Sequence, residues 1–542
     1  MIKVKAKYQI RSILLLLTCT LFSGSTQAQE PLDAIRLGGQ GIESLDHLQF
    51  LPNGNKLIAG TFDNTFDINE YTLEHIGEND IFLATLNPDN GAEWTISFGS
   101  DFDDEVTGIA LTGNAIFATG SFWLEVQLGD TILESSKSPK GLYLSSIDPE
   151  TGDFNWSQTI EGSDVKITTD LETRNDNLFL SGYFSDTLFI GDTLLVANSD
   201  TDMFLASFDI DGIFSWAFNI GYSGVNKILE TATLSNGNII VGGVFNDTLQ
   251  IADTVLVAET FDDDVFLAGF SPEGMPLWAK KAGGVHEENI TSLKTDDQDQ
   301  IYASGHFVGV MDMGNGQSIQ SSTGWADLFV LKYSADGEII HASRFGGDEL
   351  QHNTALEVTN DNIFLTGTYR GEMTVGADNF NAGNNTAGYV LRLDHNLDPQ
   401  TGWTLKSFSN SVFPTCLVSN SDGNFILGGG YGKAISGIEI LDSPMGLFDI
   451  FLLTYPEDAV NAARDFQLAI DLKVFPNPTA DKLYLNTFLE NFSVEILDNN
   501  GKVIYRSLNE HQLEMSQYPA GVYFLRVSSK GSQKIAKVIV VD

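Results

Sequence analysis

The chain has 542 residues, 42% of them hydrophobic, with 52 Gly and 36 Phe, which is enough for one large core and one small one and more than one domain normally holds. Its 73 acidic residues outnumber 29 Lys and Arg for a net charge of −44, which argues against nucleic acid or an anionic membrane surface as partner. A cationic ligand, a cationic protein or divalent ions suit such a surface better.

Residues 1–29 read as a secretory signal. Lys3, Lys5, Lys7 and Arg11 precede an apolar run from Ile13 to Phe22, and small or polar residues follow to Ala28. The run is too short to span a bilayer, and no transmembrane segment is expected in the mature chain. Cys19 lies inside the run behind Thr18, a poor fit to a lipoprotein box. Removing the leader leaves 25 basic against 73 acidic residues, a net charge of −48, and Cys416 as the sole cysteine. The expected fold therefore has no internal disulfide although it is exported.

The next 420 residues are repetitive. The run "DIFLA" at Asp80 returns as "GLYLS" at Gly141, "DMFLA" at Asp202, "DVFLA" at Asp264, "DLFVL" at Asp327, "GYVLR" at Gly388 and "DIFLL" at Asp449, at spacings of 61 to 63. Each anchor is followed by a turn and an aromatic-bearing strand, as with Trp94, Trp156, Trp216 and Trp278. His341 takes this place in the fifth copy, and Trp403 stands in a shifted frame in the sixth. A strand ending in glycine and an aromatic precedes each anchor: "LIAGTF", "FATGSF", "FLSGYF", "IVGGVF", "YASGHF", "FLTGTY" and "ILGGGY". Alternating apolar residues and Asx-Gly turns read as strands, and no segment here shows a sustained helical period.

Four strands in each of seven units predict a seven-bladed β-propeller. An inner strand such as "ITSLKTD" is followed by "QIYASGHF", "DLFVLKY" and an outer "IIHASRFGG". The segment "DAIRLGG" at Asp33–Gly39 reads as an outer strand without partners, and the last anchor lacks one, so the N-terminal segment is expected to close the ring. Between second and third strands, stretches such as "FSDTLFIGDTLLVANSDTD" read as an added hairpin with turns at Gly129–Asp130, Gly191–Asp192 and Ala252–Asp253. These would emerge at comparable places as an acidic rim.

The motifs "LWAKKAGG" and "QIYASGHF" resemble bacterial propeller repeats of the SBBP type, over roughly residues 33–455, a likeness that implies fold more than role. The turn and Trp pattern is also similar to quinoprotein propellers, in packing only, since no ligand set for a quinone is found. No cofactor is expected.

Residues 456–470 break the repeat and read as a linker. From Leu472, "VFPNPTADKLYLN", "VEILDNNGKVIYRS", "LEMSQYPAGVYFLRV" and "QKIAKVIVVD" resemble the type A sorting domain of the type IX secretion system, with Asp542 where a basic residue is usual. The resemblance assigns the motif to Phe475, Pro476, Asn477, Pro478, Gly501, Gly521 and Tyr523. It implies a Bacteroidetes-type secreted protein, recognised by the outer-membrane translocon and sorting machinery and then anchored on the surface or released. Alternating strands, a hairpin turn at Asn499–Gly501 and another at Pro519–Gly521 make residues 471–542 a small Ig-like β-sandwich. The whole chain is thus all-β.

No zinc motif, nucleophile elbow, phosphate loop or cysteine pair occurs, and no catalytic residue is assigned. His47, His75, His286, His306, His341, His352, His395 and His511 fall at different repeat positions and read as surface or packed rings. The recurring Trp residues read as blade packing. Asp101–Glu105 and Phe261–Val265 are calcium-friendly runs without the spaced Asp pattern of a calcium loop, and Asp202, Asp264, Asp327 and Asp449 share one repeat position. Solvated or turn-capping carboxylates are the first reading, bound calcium the second. Two function classes remain. One is a non-enzymatic binder or adhesin for an extracellular protein or glycan. The other is a hydrolase or lyase acting on polysaccharide or peptide. Converging Asp or Glu residues in the channel would favour chemistry, and an apolar plug would favour scaffolding.

Overall fold

The computed structural model describes residues 31–456 and 473–541, apart from 164, 323, 377, 407–411, 421, 433–434, 436–445, 487–491, 499–501 and 530–531. The leader, residues 457–470 of the expected linker and residues 471–472 lie outside the described residues.

Residues 33–456 form seven antiparallel blades arranged in a ring. Blades 1 to 6 each run from axis to periphery in chain order. In blade 4 the strands are Asn226–Thr233, Ile239–Phe245, Asp264–Phe270 and Pro276–Ala282. The inner strands of the seven blades are Glu43–Phe50, Glu105–Leu111, Lys166–Arg174, Asn226–Thr233, Glu288–Thr295, Gln351–Val358 and Val412–Ser419. Each abuts the next, and the last abuts the first. Every residue of the third strand in blades 1, 4 and 5 is buried. Blades cover both faces of this strand, so its sequence is a continuous apolar run instead of an alternating one.

The ring closes as expected. Asp33–Gly39 pairs antiparallel with Asp449–Pro456, in the register Asp33↔Thr454 to Leu37↔Ile450, and completes blade 7. Pro456, expected to begin the linker, is the last residue of that strand, opposite Asn424.

Added hairpins follow the second strand, at Phe66–Leu73, Glu125–Glu134, Thr187–Val196, Thr248–Val257 and Val310–Gln320. In blade 6 the second and third strands extend into one. The region that would hold a seventh lies mostly outside the described residues. Gly129 and Gly191 turn with φ of +59° and +54°, and Ala252 adopts +51° in the same role. The hairpins clasp blade to blade: Glu161 and Gly162 of blade 2 pair with Phe189 and Leu188 of blade 3, and Gly346 and Gly347 of blade 5 with Thr374 and Met373 of blade 6.

This explains the paired glycines ending the outer strands. A Cβ at Gly346 would stand 2.0 Å from the Asp327 carboxyl, and one at Gly347 would stand 1.5 Å from the Glu372 carbonyl oxygen of the clasp. The Trp residues dock blades in the same manner. Trp94, Trp156 and Trp278 donate Nε1–H to Pro149, Ile210 and Ala335 carbonyls in the outer turn of the following blade, at 3.0, 3.2 and 3.0 Å. Trp403, two residues out of frame, is buried beside Phe425 and Tyr455.

Residues 473–541 form a second unit of two sheets, one of Lys473–Phe475, Lys482–Asn486 and Gln512–Glu514, the other of Val503–Leu508, Ser493–Leu497, Gly521–Ser529 and Ser532–Val540. Leu483, Val494, Ile496, Leu513, Val527 and Val538 fill the space between them. Pro519–Gly521 is not the hairpin turn that its residue types promise. The strand before it belongs to the first sheet and the strand after it to the second, so this segment crosses the sandwich. Met515 donates its N–H to the Asp481 carbonyl at 2.6 Å during that crossing.

Candidate functional site

The axis is lined by seven inner strands, each with one edge unpaired toward the centre. All seven carry a β-bulge at the same level, at Asp46, Thr107, Thr169, Leu229, Thr291, Thr354 and Thr415. A bulge leaves backbone groups of an edge strand unpaired, and side chains of neighbouring blades supply partners. Thr354 donates to the Pro414 carbonyl at 2.7 Å and Thr415 to that of Leu45 at 2.6 Å. Gln49 donates to the Ile109 carbonyl at 3.0 Å, while Asp170 accepts from Thr231 N–H at 2.8 Å and Glu357 from Ser419 N–H at 2.9 Å.

Just past the bulges the channel carries a charged girdle. Asp170 and Glu172 of blade 3, Glu230 of blade 4 and Glu357 of blade 6 surround Lys294 of blade 5. Lys294 stays open to solvent although protein encloses it, which places it on the channel wall. Burial opposes its charge, but attraction from Glu172, Glu357, Asp170 and Glu230 prevails and holds the ammonium above its ordinary pKa. Burial, then the Asp170 charge, pushes Glu172 up to about 8 and Glu230 well above the carboxylate range. In blade 1, burial raises Asp46, the bulge residue, to about 6 and lowers His47, at the level of Asp170, to about 4. Burial also pushes the Cys416 thiol up to about 12, where it is an inert core group. Two acids of raised pKa beside further carboxylates have the composition of an acid–base site, and converging carboxylates, not an apolar plug, fill the channel wall.

A second ring of buried polar groups lies between blades, where the repeat Asp of one blade comes to the start of the next blade's inner strand, at its first residue or, in blade 2, at the residue just before it. Asp449 lies by Glu43, Asp80 by Asp104 and Asp264 by Glu288; at two further junctions Asn226 reaches Asp202 through Ser199 Oγ, and Gln351 takes the corresponding place in the blade after Asp327. Asp202 accepts from Asn198 N–H at 2.8 Å and Asp327 from Ser322 N–H at 2.7 Å, so these two cap the loop that returns from the hairpin. Arg36, Lys281 and Arg344 pair with Asp449, Asp264 and Asp327 at 3.5, 3.1 and 2.6 Å. Within Asp101–Glu105, Asp104 points inward and accepts from Ser100 Oγ at 3.0 Å and Trp123 N–H at 3.2 Å. Among the described residues, no three His, Cys, Asp or Glu side chains are grouped to hold a metal ion.

Of the eight histidines, His306 and His352 are brought together between blades 5 and 6, ring centroids 4.6 Å apart. They are 46 positions apart in sequence, and only the level they share once blades are aligned connects them. The girdle residues were missed as well.

In the C-terminal unit, Asn477 anchors the final strand from both ends of its amide. It donates to the Lys537 carbonyl at 2.7 Å and accepts from Ile539 N–H at 2.9 Å, from between Pro476 and Pro478. The Phe475 ring stacks on Tyr484 at 6.1 Å, and Tyr523 donates its hydroxyl to the Pro519 carbonyl at 2.9 Å. A Cβ at Gly521 would meet nothing nearer than 3.7 Å, so packing does not demand glycine there. Gly501 and the expected Asn499–Gly501 turn lie outside the described residues. Residues 473–541 match the family of secretion system C-terminal sorting domains. This unit is a type IX sorting domain. The sorting domain marks the chain as cargo secreted across the outer membrane, and no helix among the described residues is long and apolar enough to cross one.

The propeller is similar to an uncharacterized WD repeat-containing protein of Acanthamoeba polyphaga mimivirus, 22% identical over 439 residues, which are 65% of this chain and 31% of that protein. The chain thus spans about a third of that relative. Among solved structures, YCF48 bound to a peptide is 10% identical, covering 81% of this chain and 100% of that one, with a TM-score of 0.38. Pyrococcus horikoshii acylaminoacyl peptidase is 10% identical, covering 83% and 59%, with a TM-score of 0.37. These two likenesses carry no argument about activity.

Proposed function

We propose that the propeller is a non-enzymatic extracellular binding or adhesion protein that contacts a cationic protein or a glycan through its outer wall. The observation that carries this reading is a repeated apolar edge. The second strands of three successive hairpins present Ile132, then Leu194 and Val196, then Val255 and Val257, all exposed and with no further strand hydrogen-bonded beyond them. Soluble proteins blunt such edges unless a partner uses them. The net charge sets the sign of the partner, and the leader read at residues 1–29 delivers the chain to the periplasm before sorting. Calcium, if it bridges such a partner, would act at exposed carboxylates rather than at the buried repeat aspartates.

A second reading is favoured by the girdle, where raised Glu172 and Glu230 stand beside Asp170. It makes the channel a hydrolase or lyase site for extracellular polysaccharide or peptide. The experiment probes mature protein on glycan and extracellular-protein arrays with and without calcium, and assays polysaccharide and peptide cleavage in parallel. Array hits lost in a variant with Val255 and Val257 changed to Thr support the binding reading. Cleavage abolished by Glu172→Gln, with no such hits, replaces it with the enzymatic one.

A further inference from the structure

We propose that His306 and His352 form a two-imidazole site for a divalent transition ion of the zinc class, at the seam between blades 5 and 6. His306 is the penultimate residue of the second strand of blade 5, Ile301–Phe307, and His352 the second residue of the inner strand of blade 6. Their rings meet edge to face at 4.6 Å and 71°. Two imidazoles on one tetrahedral zinc ion, with Zn–N bonds of about 2.0–2.1 Å, hold their centroids about 5 Å apart, so a small ring shift admits the ion.

Two further observations point to a missing partner. His306 Nδ1 is buried with no hydrogen-bond partner, and so is the Oδ1 atom of Asn289, which lies directly across the strand pair from His306. Adjacent buried polar atoms left unpaired mark a site where an ion or a water belongs. Burial and the neighbouring His352 hold His306 down to about 4, and burial lowers His352, so both rings are neutral and offer lone pairs at neutral pH. Glu287 is the charge that acts on His352, opposing the effect of burial. Among the described residues no third His, Cys, Asp or Glu is grouped with the pair, so the site has positions left for water or a donor from a bound partner. This assignment stands independently of the outer-wall reading.

The test titrates untagged, metal-free mature protein with Zn2+ by calorimetry, and with Co2+ by visible absorption. One equivalent should bind, and His306→Ala and His352→Ala should each weaken binding at least tenfold, while His341→Ala, on an exposed outer strand, changes nothing. Where an alanine variant does not fold, native protein is treated with diethyl pyrocarbonate, and Zn2+ should protect His306 and His352 from modification. No saturable binding, binding that survives both substitutions, or unaltered modification of the two rings overturns the assignment.

Discussion

Glu288→Gln should stabilise the propeller increasingly as pH rises. Glu288 is fully buried against Asp264 between blades 4 and 5, and Lys281 pairs with Asp264 at 3.1 Å, so the ionised member of the pair is Asp264 and the proton resides on Glu288. Burial, then the Asp264 charge, pushes Glu288 up to about 9, with Gly284 N–H as a partial offset at 3.2 Å. An acid whose folded pKa exceeds its unfolded one binds its proton more tightly when folded. Its stabilising contribution is complete below the ordinary carboxylate value and is lost as pH rises toward about 9. The slope is about 1.4 kcal/mol per pH unit, so between pH 5.5 and 7.5 the parent loses at most about 2.7 kcal/mol through this group. Glutamine keeps the shape and needs no proton, and the corresponding place at the start of blade 6's inner strand is already held by Gln351, whose Oε1 accepts from Gly347 N–H at 3.2 Å. Urea unfolding followed by tryptophan fluorescence is the assay, because all seven Trp residues lie in the propeller. The stability difference between variant and parent should widen by up to about 2.7 kcal/mol over that range. A difference that stays constant, or narrows, refutes the shared-proton account.

Three further outcomes follow from the clasps, the docking aromatics and the girdle. Gly347→Ala drives a methyl group into the Glu372 carbonyl and should destabilise by about 1–3 kcal/mol in urea titration, whereas Gly430→Ala, with nothing nearer than 3.9 Å, should be tolerated. Trp94→Phe removes the bond to the Pro149 carbonyl and should lower stability by about 1 kcal/mol, and Trp94→Ala by about 3–5 kcal/mol. Lys294→Met removes the cation opposing four carboxylates. It raises the pKa values of Asp170, Glu172 and Glu230 further, so its stability should fall more steeply than the parent's from pH 5 to 9 in the same titration.

The ring was legible because its signals repeat. Third-strand runs such as Asp264–Phe270 are buried on both faces and so keep one apolar pattern at even spacing, and the unmatched strand at Asp33–Gly39 could only complete blade 7. The glycine pairs were visible as a motif, but their cause was not, since the carbonyl that Gly347 must avoid belongs to the next blade's hairpin. The girdle left no trace in the repeats. Asp170, Glu230, Ser292 and Ala355 occupy one level and Glu172, Lys294 and Glu357 another, with different chemistry in each blade and only the closed ring to gather them. Pro519–Gly521 misled because a sheet-to-sheet crossing uses the same turn-forming residues as a hairpin.

The central claim is that a sorting domain carries this propeller through the type IX pathway to the cell exterior. Expressing the whole chain and a version lacking residues 473–541 in a type IX-competent bacterium, then locating the propeller by cell fractionation, tests it directly. The intact chain should reach the surface or the medium and the truncated one should accumulate in the periplasm; equal export of both would contradict the claim.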